Sequence, residues 1–280
     1  MKVIKAINNN NLCVLDDAGR EQIVSGKGIG FGKKYGDTVD PSQIQKTYLI
    51  TDSELQKKMI TMLKEIPFEY MVFANDIVEH IKNTYSGKLS ESLLVTLSDH
   101  ISFAIERKKS GMEFTNPLLD SIRESYPEEL QLGKYCVEQM ETQLGIAMTE
   151  DEAAFIAMHI INASLGTKMD DVYKITKLIN GCIEIAEYYC KEKFDRDSVE
   201  FERFLAHLKY LAQRLFQNKP LPNALNDDDA FAIMIRKTCA EQYKCALCIH
   251  EYIAKTYRKS INSDELITLT IHLKKLTKKS

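Results

Sequence analysis

Apolar and polar positions follow two different periods along this 280-residue chain, and the change falls near residue 51. Before it, short runs alternate with the two-residue period of half-buried strands: KVIKAI (2–7), NLCVL (11–15), QIVSG (22–26) and IQKTYLI (44–50). Turn-forming clusters separate them: NNNN at 8–11, DDAG at 16–19 and the glycine-rich GKGIGFGKKYGD at 26–37. This predicts a small antiparallel sheet of about four strands. So short a segment buries little apolar surface and is expected to rely on self-association. After residue 51 the apolar period is helical almost throughout. Asp52 or Ser53 can cap the first helix, and breaks fall at Pro67, Gly87, Gly111, Pro117, Gly166, Pro220 and Pro222. The longest expected loop runs from 217 to 229. The predicted fold class is therefore multidomain, a small all-β domain over 1–56 followed by all-α bundles.

Comparing the helical part with itself reveals a repeat. SDHISFAIER (98–107) resembles LAHLKYLAQR (205–214), each with a histidine seven residues before an arginine: His100 and Arg107, His207 and Arg214. TEDEAAFIAMHI (149–160) resembles NSDELITLTIHL (262–273), each opening on a capping-box pattern, Thr149/Glu152 and Asn262/Glu265. Each then places a histidine eight residues after an aspartate, His159 and His272. Two related bundles, 57–169 and 170–280, account for this better than a solenoid, whose period is shorter and whose copies are more numerous.

Four histidines at equivalent places in two copies suggest chemistry, although a shared ancestor can also propagate a structural residue. Positions i and i+7 share a helix face. Arg107 and Arg214 are thus expected above His100 and His207, where a cation would keep the imidazole neutral and nucleophilic and could pair with a phosphate. No serine or cysteine stands in a nucleophile-elbow context, so a hydrolytic triad finds no support. His80 and His250 lack counterparts and are read as structural.

Composition narrows the class. Hydrophobic content of 44% and charged content of 28% are those of a soluble globular protein. No apolar run approaches the roughly 18 residues that span a bilayer, and the N-terminus lacks a signal-peptide core, so a cytoplasmic protein without membrane insertion is expected. The seven scattered cysteines are read as reduced. Cys245-x2-Cys248-x-His250 has no second ligand pair nearby, so no metal is expected there. The net charge of −3 gives no electrostatic hint of nucleic acid.

Taken together, KAINNNNL (5–12), GKGIGFGKKYGD (26–37), LSDHISFAIER (97–107), DEAAFIAMHI (151–160), AHLKYLAQR (206–214) and SDELITLTIHL (263–273) resemble the BglG/LicT/SacY family of transcriptional antiterminators over the whole chain. The resemblance implies an RNA-binding domain followed by two phosphotransferase regulation domains, in a regulator rather than an enzyme and with no cofactor. It implies a dimer that binds a hairpin in nascent leader mRNA and blocks an overlapping terminator. It also implies inhibitory phosphorylation at His100 and His159 by a sugar-specific enzyme II, and activating phosphorylation at His207 and His272 by HPr.

Charge alone does not advertise RNA, because residues 1–55 hold seven Lys/Arg and seven Asp/Glu. The basic residues cluster at the turns, however, and the asparagine run can offer amides to base edges while Phe31 can stack on an unpaired base. Carried over by position, the RNA contacts implied by the resemblance are Lys5, Asn8, Asn10, Gly26, Lys27 and Phe31. Lys27 stands where relatives often carry arginine, keeping the charge but not the planar fork. The stretch KGIGFGKK is a poor RNP1 match, since Ile29 replaces a stacking aromatic, and it contains no phosphate loop. Two rivals remain. One is a DNA-binding activator, which would need an N-terminal helix-turn-helix; the other is a helical His/carboxylate metalloprotein.

Overall fold

The computed structural model describes residues 1–49, 53–221 and 229–277. Four strands, β1 (Lys2–Asn8), β2 (Asn11–Leu15), β3 (Glu21–Ser25) and β4 (Lys46–Tyr48), form an antiparallel meander in chain order. β4 is shorter than the seven-residue run that alternation predicts. Asp40 caps a 3₁₀ turn at Pro41–Gln43 by accepting from the Ser42 N–H at 2.9 Å, and that turn takes the Ile44 N–H, which bonds the Pro41 carbonyl at 3.2 Å. Ile50, Asp52, Pro222 and most of the expected 217–229 loop lie outside the described residues.

Both faces of the sheet are covered within one chain. Val3, Leu12, Val14, Val24, Ile29 and Val39 pack together on one side. On the other, Ile7, Cys13, Ile23 and Tyr48 meet Met59, Met62 and Leu63 of α1 (Ser53–Glu65) and Met71 of α2 (Phe68–Thr84). The expectation that this sheet depends on a second copy for burial is thus answered differently, by its own helices. Ile29, the residue that spoils the RNP1 match, is part of that core at 1% exposure.

The remaining helices are α3 (Ser92–Lys109), α4 (Leu119–Ser125), α5 (Pro127–Leu144), α6 (Glu150–Leu165), α7 (Met169–Cys190), α8 (Val199–Phe216), α9 (Ala230–Thr238), α10 (Ala240–Tyr257) and α11 (Ser263–Leu276). None of the described helices is long and apolar enough to cross a membrane. The chain divides into two compact units, one of residues 1–115 with 132–166, the other of 116–131 with 167–280.

In the first unit, Phe73, Ile77 and Ile81 of α2, Ile101 and Ile105 of α3, and Ile156 and Ile160 of α6 share one core. Their three-to-four spacing lays an apolar stripe on each helix, and burying the stripes sets α3 against α6. In the second unit, the buried Phe204, Leu208 and Leu211 of α8 and Leu269 and Leu273 of α11 do the same. Each repeat therefore brings its early-histidine helix beside its late-histidine helix.

Candidate functional site

The packing of α3 on α6 places the His100 and His159 rings 4.6 Å apart, centroid to centroid. That of α8 on α11 stacks His207 and His272 at 5.1 Å, with an interplanar angle of 22°. The two copies thus build one motif twice. α6 is held close by Gly133 on α5, where a β-carbon would come within 2.1 Å of the Ala153 carbonyl oxygen.

Each pair sits on a buried carboxylate. Glu152 places one oxygen 2.7 Å from His100 Nε2 and the other against the Arg107 guanidinium, and both Glu152 and Arg107 are buried. The His100 contact is within ion-pair range, but its alignment falls short of a hydrogen bond. Glu265 stands 3.1 Å from His207 Nε2 in the same way. These glutamates occupy the capping-box positions, and the expected cap forms only in part. Asn262 accepts from the Glu265 N–H at 3.2 Å, whereas Thr149 makes no side-chain cap bond. Reading Glu152 and Glu265 as caps missed their role at the histidines. A signal was present, since an acidic residue seven positions, or two helical turns, before each late histidine is repeated on the same helix face in both copies.

The arginines do not act as the spacing suggested. Seven residues of helix span about 10 Å, too far for direct contact with the ring. Arg107 reaches the site only through Glu152, and its guanidinium lies over the Phe103 and Phe114 rings at 5.3 and 4.4 Å. Arg214 lies over its own helix's Tyr210 at 4.6 Å. Neutrality comes instead from burial, and at the late histidines. Burial, with His100 alongside, lowers the His159 pKa to about 3. Burial, then His207, Lys275 and Arg203, lowers His272 to about 4. His80, read as structural, stacks on Tyr135 at 3.9 Å.

The N-terminal turns present a second candidate surface. Lys5 and Lys27 are exposed, and Phe31 is 77% exposed on its glycine turn. Tyr35, which the sequence did not single out, is also bare. Two asparagines are committed to the fold. Asn8 donates to the Leu63 carbonyl and accepts from the Asn10 N–H at 2.9 Å and the Asn11 amide at 3.0 Å. Asn10 Oδ1 accepts from the Gly28 N–H at 2.8 Å. Gly26 is buried, its N–H bonded to the Asn10 carbonyl at 2.9 Å. A β-carbon there would strike the Gln43 carbonyl oxygen. The expected display of asparagine amides to bases is therefore reduced, and Asn8 and Gly26 shape the surface that carries Lys5, Lys27 and Phe31.

The rivals fare less well. Residues 2–25 form strands where a helix-turn-helix would have to lie. Among the described residues, no three His, Cys, Asp or Glu side chains converge as a metal site. On α10, Cys245 is buried and Cys248 exposed, so the two face different surroundings.

Comparison with known proteins finds related domains along the chain, with ranges that differ from the two compact units: residues 116–131 pack with the second unit yet lie inside the first match to the PRD domain. The CAT RNA binding domain matches residues 1–57, and the PRD domain matches residues 75–163 and 180–276. Transcription antiterminator LicT of Bacillus subtilis (strain 168) is 36% identical over 280 residues, covering 100% of both chains. The beta-glucoside operon antiterminator of Dickeya chrysanthemi is 33% identical, covering 99% of this chain and 96% of its own. Among solved structures, the crystal structure of GlcT CAT-PRDI is 35% identical with a TM-score of 0.50, covering 58% of this chain and 97% of that one.

Proposed function

The chain belongs to the BglG/LicT/SacY family of transcription antiterminators, with a CAT RNA-binding domain followed by two PRD regions. From that premise we propose that it binds a hairpin in nascent leader mRNA as a dimer and prevents formation of an overlapping terminator. Its activity is set by histidine phosphorylation. A sugar-specific enzyme II phosphorylates His100 or His159 and inhibits, while HPr phosphorylates His207 or His272 and activates. Functional boundaries fall near residues 56 and 169.

The observation that carries the regulatory part is the repeated site, two close imidazoles over a buried glutamate in each helical unit. The lowered pKa of each late histidine leaves a lone pair free at neutral pH. In the transfer, that lone pair forms the new P–N bond as the bond between phosphorus and its leaving group on the donor breaks. The acceptor ring keeps the proton on its other nitrogen, so the transfer requires no proton to leave it. The phosphoryl group adds nearly two negative charges beside a buried carboxylate, enough to remake local packing.

Incubation with HPr, enzyme I and phosphoenolpyruvate, followed by phosphosite mapping, should label His207 or His272 and leave His80 and His250 bare. Label confined to His80 or His250 would sink the phosphoacceptor assignment. For the RNA part, Phe31→Ala should weaken binding to the leader hairpin by roughly 5- to 100-fold in a gel shift at fixed salt, the size of one lost base stack. Because Phe31 is bare, thermal stability should not change. Unaltered affinity would remove Phe31 from the interface.

A further inference from the structure

The two histidine sites share rings and glutamates but differ in the cations one helical turn away. On α8, Arg203 stands four residues before His207, and on α11 Lys275 stands three residues after His272. Both spacings put the cation next to its ring on one helix face. The rings stack at 5.1 Å, so the two cations approach a common place from two helices. They also line one cleft of about 420 Å³ together with Lys193, Ser198 and Phe194. Both are exposed, and neither closes an ion pair among the described residues.

The first site has no such pair. By the same offsets, Thr96 and Asn162 occupy the corresponding positions, both neutral. Of the cations near it among the described residues, Arg107 is buried and already bound to Glu152, and Lys108 is paired with Glu113. The cleft wall of the second unit also carries Glu192, Asp195 and Glu200, so it is not a general attractor of anions. Its two turn-adjacent cations are suited to a dianion delivered at one point, covalently, by the neighbouring ring.

Building on the proposed phosphorylation, we infer that Arg203 and Lys275 hold the phosphoryl group in the second unit, in place of Arg214, and that the first unit has no equivalent hold. Arg203 and Lys275 are positioning residues, acting on the product of transfer and not on the ring itself. The second site then retains its phosphoryl group, and the first releases it more readily.

The test uses the full chain and two donors. Wild type, Arg203→Gln, Lys275→Gln, the double glutamine variant and the conservative Arg203→Lys/Lys275→Arg variant are phosphorylated with HPr, enzyme I and phosphoenolpyruvate, and separately with phosphoramidate. After donor removal, the lifetime of phosphohistidine at His207 and His272 is followed at neutral pH. The double glutamine variant should lose label about tenfold faster with either donor, and the conservative variant should behave as wild type. Lifetimes equal to wild type would overturn the inference while leaving phosphorylation intact. A defect seen with HPr alone would also overturn it, showing that the cations dock the donor. Absence of label at His207 and His272 in wild type would remove both the inference and the activating role of HPr beneath it.

Discussion

Arg107→Ala is expected to destabilise the first helical unit by about 3–5 kcal/mol, measured by chemical denaturation at neutral pH. Arg107 is buried against Glu152, and its guanidinium also covers the Phe103 and Phe114 rings. Removing it strands a carboxylate away from water with only the misaligned His100 contact beside it. Desolvating an uncompensated charge is the dominant cost, larger than the lost attraction, because the pair's own Coulomb gain is largely offset by taking both ions out of water. The double variant Arg107→Met/Glu152→Met should therefore recover most of the loss, since no charge remains to be buried. A double variant as unstable as Arg107→Ala would mean that packing, and not the stranded charge, sets the cost.

The second large effect is on pH dependence. His159 titrates at about 3 in the folded chain against an ordinary value of 6.5, chiefly through burial. Between those values the unfolded chain binds a proton that the folded chain refuses, so stability falls as pH falls and is fully restored above 6.5. The loss attributable to His159 should be about 3 kcal/mol between pH 7 and pH 4. His272 is shifted in the same direction but is partly exposed, so solvent screening reduces its share. Other acid-titrating groups are common to both proteins, so the comparison is between wild type and His159→Leu. The variant's stability relative to wild type should improve as pH drops from 7 to 4. Parallel curves would show that His159 takes up its proton in the folded state.

The two sites differ in a way relevant to regulation. In the first, the carboxylate is shared between a histidine and a buried arginine, and Phe114 lies over that arginine. In the second, Glu265 faces His207 while the arginine of the repeat lies over Tyr210. One copied motif thus offers two electrostatic surroundings, as expected if one phosphorylation opposes the other.

Much of this was legible in local pattern. The alternation of KVIKAI, NLCVL and QIVSG set the first three strands close to where they lie. The apolar stripes of α3, α6, α8 and α11, with glycine and proline breaks, placed four histidines on four helices. Such features depend on residues within one or two turns of each other, and side-chain periodicity reports them directly. Comparison of the two copies then marked one early and one late histidine in each, because a repeated position is visible without any structure.

Other decisions were tertiary. Glu152 had the spacing of a helix cap, yet its carboxylate turns to His100 and Arg107, the charged partners that burial leaves it among the described residues. Asn8 looked like an RNA-facing amide, yet the approach of α1 binds it to Leu63. Arg107 and Arg214 share a sequence context but not a partner. Periodicity determined which face of each helix is apolar. Only the packing of those faces decided which polar groups at their edges would meet, since ion pairs and ring contacts depend on separations of a few ångströms between helices distant in the chain.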